Sequence, residues 1–415
     1  MRTLMVAAVA VALARAQTLE EAAERLARQL EAKTIECRRD LHMHPELSNQ
    51  EERTGRVVAE RLRAIGFTDV RTGVGGHGVV ATLKGALPGP VVAWRADMDA
   101  LPIDESNFAA PYRSTVKGVK HACGHDAHTA MGLALAEVFF GLKDRLPGTV
   151  KFLFQPAEEV GQGARRMIAE GALENPRPEA IFAYHVSPVA KVGEVQYTDG
   201  PASSATVSVK ITIRGKRAHG AYPYQGIDAV AIASQCIVAL QGVHSRQIDA
   251  QNPSVLSLGT IHGGDRRNVI AESVTLEGTV RTLSNAVVDE YEAKIERTLK
   301  GCTGAMGGSF ELQYRRGTPA MVNSAALNRA AMPAVEAVFG QGKMTPAVPG
   351  LFGEDFAYFQ KEIPGTMLLL GVRNEAKGIT APIHSAEFDM DEAALGLGVR
   401  AAARMLIGYL NGGSK

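Results

Sequence analysis

TVSVKITIRG, residues 206–215, alternates apolar and polar side chains with period two, as a half-buried strand does. The helix-like run GIDAVAIASQCIVALQGV (226–243) follows, then the strand patterns SVLSLGTIHGG (254–264) and SVTLEGTVRT (273–282), a helix over VDEYEAKIERTLKGC (288–302) and a strand FELQYRR (310–316). This β-α-β-β-α-β order predicts a small ferredoxin-like α+β unit, self-contained and inserted at 203–315.

The flanks have another texture. Upstream, GVVATLKG (78–85), PVVAWRADMDA (90–100), TVKFLFQPAEE (149–159) and AIFAYH (180–185) read as strands and TAMGLALAEVFFGL (129–142) as a buried helix. Downstream come an alanine-rich helix, the strand TMLLLGV (366–372) and a last helix through Gly408. The alternation predicts an α/β domain with a central mixed sheet, built from 17–202 and 316–415, with ligands at the carboxyl ends of its strands. A helical stretch from Leu19 to Gly66, interrupted at Pro45 and Ser48, precedes it.

At 415 residues the chain exceeds one comfortable core, in keeping with two domains. Lys+Arg number 45 against 44 Asp+Glu, and no basic run provides the footprint of a nucleic-acid binder. With 6% aromatics and only Trp94 as tryptophan, a stacking platform for single strands is disfavoured too. Arg2, the apolar run Leu4 to Leu13 and Ala14-Arg15-Ala16 form a signal-peptide pattern over 1–16, so export to a periplasm or beyond is expected. The run is too short for a stable membrane span. The cysteines at 37, 123, 236 and 302 lack the spacing of a disulfide framework, although an exported protein could oxidise a pair.

Chemistry concentrates elsewhere. Asp97 and Asp99 end one strand, HACGHDAH (121–128) follows, Glu158 and Glu159 close FQPAEE, His185 closes AIFAYH, and His384 lies in PIHSAEFD (382–389). Singly, an HxxH or a Glu pair is more often solvated charge or a satisfied core histidine; the ordered set at one sheet edge is not what apolar packing selects. Thiolate with imidazole suits zinc, and added carboxylate admits manganese, cobalt or nickel. Cys123, His125, Glu159, His185 and His384 exceed one tetrahedral site and predict two divalent cations sharing a bridge. Successive side chains leaving a strand diverge, so Glu159 can hold metal while Glu158 faces water as general base. Asp97 or Asp99 is placed to fix the tautomer of a ligand imidazole. His121 and His128 are expected to orient the loop, and His42, His44, His77, His244 and His262 to be structural.

At these residues the chain resembles the metallopeptidase family of aminoacylases and glutamate carboxypeptidases, in the amidohydrolase branch with hippurate hydrolase and indole-acetyl-amino-acid hydrolase. RRDLHMHPELSNQE, RADMDALPIDE, HACGHDAHTAMGL, FQPAEE, AIFAYHVSP, GKRAHGAYP, GGDRRNVIAE, GEDFAYF and PIHSAEFD carry the likeness over nearly the whole mature chain. The resemblance implies a two-metal catalytic domain, often with manganese or zinc, and a lid domain that mediates homodimerisation. It implies metal ligation by Cys123, His125, Glu159, His185 and His384, Glu158 as general base, and Asp99 as a carboxylate behind the ligands. It adds His219, supporting the oxyanion across the dimer, and Asn268, near the substrate carboxylate. Hydrolysis of N-acyl-amino acids is expected, with a dipeptidase or carboxypeptidase using the same site as the alternative within enzymes. A non-catalytic periplasmic solute- or metal-binding protein is the alternative from another class; it would have no use for Glu158 beside the ligands. Tyr224 stands where the family usually has histidine, and Arg266-Arg267 where small residues are usual, which points to a preference for an acidic substrate group.

Overall fold

A computed structural model describes residues 17–412; the signal-peptide pattern over 1–16 lies outside them. The chain enters through the helices Leu19–Gln29, Glu31–Met43 and Glu52–Ile65. Thr18 caps the first in a reciprocal capping box with Glu21, and Gly66, at φ 117°, ends the third in the left-handed conformation.

An eight-stranded mixed sheet follows, ordered Asp69–Val74, Gly78–Lys84, Pro147–Gln155, Leu87–Asp97, Ala180–Lys191, Gly365–Arg373, Val195–Tyr197 and Met344–Pro346. The four strands in its middle are mutually parallel, so their carboxyl ends share one edge. Register makes this concrete: Asp97 pairs with Gln155, Arg95 with Ala183 and Leu369 with His185. Asp97 and His185 therefore stand level on neighbouring strands. The helix Ala393–Leu410 is apolar and long enough to cross a membrane, but 78% of it is buried, packed on the sheet and on the helices His125–Leu142 and Ala325–Phe339.

The inserted unit has the expected element order. Its sheet runs Ser254–Gly263, Ser273–Thr282, Ala205–Arg214, Ser309–Arg316 with every neighbour antiparallel, the ferredoxin-like arrangement. Helices Ala229–Gly242 and Asn285–Ala305 close an apolar interior separate from that of the large sheet. Its two chain crossings lie side by side: the Thr206 N–H donates to Thr318 O (2.9 Å), and the two hydroxyls are 3.1 Å apart.

Two local expectations are corrected. The helix read over 129–142 begins earlier, at His125, so that His125 and His128 lie in its first turn, three residues apart, and not in the loop before it. Nor does the strand reach the glutamates. It ends at Gln155, and Ala157, at φ 55°, turns the chain so that Glu158 and Glu159 leave from a turn.

Candidate metal centre

The CGH turn meets the sheet because Gly124 lacks a side chain. At φ 87°, a Cβ there would lie 2.3 Å from Val186 Cγ2. Glycine thus lets the turn close on the strand that carries His185, and Cys123 arrives beside it.

The Cys123 sulfur lies 3.4 Å from His185 Nε2 and 3.3 Å from His384 Nε2. Glu159 Oε1 is 3.5 Å from His384 Nε2 and 3.8 Å from His125 Nε2. The donors of Cys123, His125 and His185 lie within 4.8 Å of one another, as do those of Cys123, Glu159 and His384. The sulfur is common to both groups.

Two of the three imidazoles are oriented from behind. His125 Nδ1 is 3.2 Å from Asp99 Oδ1, and His185 Nδ1 donates to Val186 O at 2.8 Å, so Nε2 of each faces the cluster. Asp99 also accepts from Ser48 Oγ (2.6 Å) and the Glu159 N–H (3.0 Å), which fixes the turn. His128 bonds to Asp97 through Nδ1 (2.6 Å) and accepts the Val186 N–H through Nε2 (2.9 Å), so it ties two strands together rather than orienting the loop. His121 does not orient the loop by hydrogen bonding: it is 1% exposed, neither ring nitrogen has a partner among the described residues, and burial pushes it down to about 4. His384 takes a backbone φ of 60°, uncommon for a non-glycine residue and a mark of functional sites.

The donors fit divalent cations. Among the described residues His125 Nε2 and Glu159 Oε1 are buried without a hydrogen-bond partner, a costly state for polar atoms unless something else satisfies them. The electrostatics agree. Burial raises the Cys123 thiol well above its ordinary range, and burial followed by the charge of Asp99 raises Glu159 to about 7. Burial opposes charge on His125, yet Asp97, the Cys123 sulfur and Asp99 outweigh it and hold the ring protonated well above the usual range. Cations among these donors would reverse all three directions.

A match to "Peptidase family M20/M25/M40" spans residues 93–407. The chain belongs to peptidase family M20/M25/M40. Thermostable carboxypeptidase 1 of Saccharolobus solfataricus is 37% identical over 388 residues, covering 92% of this chain and 97% of the relative. N-acetyl-L-cysteine deacetylase of Bacillus subtilis is 37% identical over 366 residues, covering 88% and 85%. The crystal structure of a dinuclear metal-binding peptidase of the M20 family from Bacillus subtilis superposes with a TM-score of 0.81 at 33% identity, over 92% of this chain and 99% of that one. This M20 chain is a metal-dependent hydrolase acting on amide bonds.

Beside the donors in this M20 site, Glu158 is 9% exposed, and its carboxylate lies within 4.8 Å of those of Glu354 and Asp355. Burial first, then these two neighbours and Glu159, raise it well above the usual carboxylate range. Arg95, fully enclosed, donates to Gln155 Oε1 (2.8 Å), Asp97 Oδ2 (2.5 Å), Glu354 Oε1 (3.0 Å) and Asp355 Oδ1 (3.3 Å). It joins the acids behind Glu158 to the carboxylate behind His128. The sequence reading gave Arg95, Glu354 and Asp355 no role, although RADMDALPIDE and GEDFAYF contain them; a buried arginine opposite paired acids was the available signal.

His219 and Asn268 are brought together on the inserted unit. His219 is opposite Val269 in a two-stranded ribbon, and the Gly220 N–H donates to Asn268 O at 2.8 Å. His219 is exposed, and among the described residues neither makes a hydrogen bond or ion pair with the five donors.

Proposed function

We propose that the chain hydrolyses the amide bond of N-acyl-amino acids, holding two divalent cations with Cys123, His125, Glu159, His185 and His384 and using Glu158 as general base. The observation that carries this is the meeting of five donors, two with buried unpartnered atoms, beside a further carboxylate that none of them engages. When bound, the cations supply Lewis acidity toward the amide carbonyl and acidify water.

The residues divide the remaining work. Glu158 removes a proton from the attacking water and delivers it to the leaving nitrogen, a shuttle favoured by a carboxyl whose pKa lies above the ordinary range. Asp99 fixes the His125 ring and the backbone of Glu159 together. His219 donates to the developing oxyanion and Asn268 receives the substrate carboxylate. Because His219 lies exposed on the inserted unit, it serves the centre of a second copy, in a homodimer formed through that unit acting as a lid. Zinc and manganese suit the donor set best. Export is proposed on Arg2, the apolar run and the A-x-A signal alone.

The carboxypeptidase relative supports a second reading, peptide substrates at the same centre. Metal analysis of purified protein combined with a panel of acyl-amino acids and dipeptides tests both. Two equivalents of metal with higher kcat/KM on acyl-amino acids are expected. Preference for dipeptides would shift the assignment to the second reading, and protein that binds metal without cleaving either class would end both.

A further inference from the structure

The inserted unit holds a pair of cysteines apart from the metal centre. Cys236 lies in the helix Ala229–Gly242, completely buried, and Cys302 lies in Asn285–Ala305, half-buried at the edge of the same apolar cluster. The two helices pack against each other, both cysteines belong to the one apolar cluster between helices and sheet, and the Cys302 thiol is near enough to raise that of Cys236. The remaining cysteines have other surroundings: Cys123 sits among the imidazoles, and Cys37 is on the buried side of the helix Glu31–Met43.

We infer that Cys236 and Cys302 form a disulfide when the chain meets a disulfide oxidant, clamping together the two helices that cover the four-stranded sheet. Packed helices that carry both cysteines into one cluster leave little backbone movement for the bond to require. Cys302 is the thiol an oxidant reaches. Burial, and then the neighbouring sulfur, push the Cys236 thiol up to about 12, so it is the second to react. The Cys302 thiolate attacks an external disulfide, forming a mixed disulfide and releasing one thiol. The Cys236 thiol then gives up its proton to base and attacks the Cys302 sulfur, which expels the second thiol. Two electrons and two protons pass to the oxidant, and one S–S bond replaces another.

The bond links positions far apart in the chain, where cross-links constrain the unfolded state most, and the expected export delivers the chain to a compartment in which such bonds persist. The inference is independent of the hydrolytic reading, since it uses no residue of the metal centre.

The test equilibrates the full chain in oxidised and reduced glutathione, alkylates it under denaturing conditions and maps peptides without reduction. A cross-linked peptide pair containing Cys236 and Cys302 is expected. Phosphine reduction of the oxidised protein should lower its unfolding temperature by about 5 °C or more. In C302S, altered at the more accessible position, reduction should leave the temperature unchanged. Free, alkylated Cys236 and Cys302 after oxidation, glutathione adducts without a cross-link, or an undiminished shift in C302S would each overturn the inference.

Discussion

Asp99 Oδ1 stands 3.2 Å from His125 Nδ1, while the other oxygen of the same carboxylate takes the Glu159 N–H at 3.0 Å. One buried side chain therefore orients two proposed ligands that arrive from different elements. Asp99→Asn should weaken metal binding by about 10- to 100-fold, because an amide oriented to serve one of these partners loses its match to the other. Competition against a chromogenic chelator measures this, and wild-type affinity in the variant would remove Asp99 from the support of the site.

Glu158 touches none of the five donors through a hydrogen bond, so its loss should spare metal loading. Glu158→Gln keeps the shape, and kcat should fall at least about a hundredfold with metal content unchanged. A variant that keeps near-normal turnover would force the proton shuttle onto another group.

Far from the centre, Glu24 binds the carboxy-terminal helix to the first one. Arg400 Nη2 reaches it at 2.6 Å, Arg404 Nη2 at 2.8 Å and Arg28 Nη2 at 2.9 Å. Burial alone would raise the carboxyl, but hydrogen bonds from Arg404, Arg400 and Arg28 lower it from 4.5 to about 2. A depressed carboxyl stabilises the fold above its unfolded pKa, and that contribution fades as pH falls from about 4.5 toward 2. Glu24→Gln should cost about 1 kcal/mol at neutral pH, allowing for the partial exposure of the group. In urea unfolding the gap between wild type and variant should narrow between pH 5 and pH 3. A constant gap would mean that the carboxylate charge is not responsible.

The inventory of donors was legible because each is a chemically distinctive residue at the end of a strong apolar pattern: Asp99 after PVVAW, Glu159 after KFLF, His185 after AIFAY. What separates Glu158 from Glu159 was not. The two glutamates leave from a turn and not from a strand: Ala157 takes a positive φ, and Glu51 Oε1 accepts its N–H at 2.7 Å. Long-range pairing was hidden as well. Arg95 meets Glu354 and Asp355, and the helices of Cys236 and Cys302 pack together, only after the sheet and the inserted unit have closed, and no local periodicity encodes either encounter.

Substrate choice turns on two further arginines. Arg266 and Arg267 are exposed and directly precede Asn268, in the turn that leads into the ribbon carrying His219. Their neighbour Arg217 is neutralised by Asp265 at 2.5 Å and Glu272 at 3.3 Å, whereas neither Arg266 nor Arg267 has an ion-pair partner among the described residues. Two unpaired guanidinium groups beside the proposed carboxylate contact should favour a substrate with a second carboxylate. Acyl-glutamate should then be cleaved with higher kcat/KM than acyl-leucine, and a double R266A/R267A variant should cut that ratio about tenfold, mainly through KM. Added salt should compress the wild-type ratio toward that of the variant, because exposed charges are screened. Equal rates on the two substrates in the wild type, or a ratio untouched by the double substitution, would assign the selectivity to other residues while leaving the hydrolytic centre as it stands.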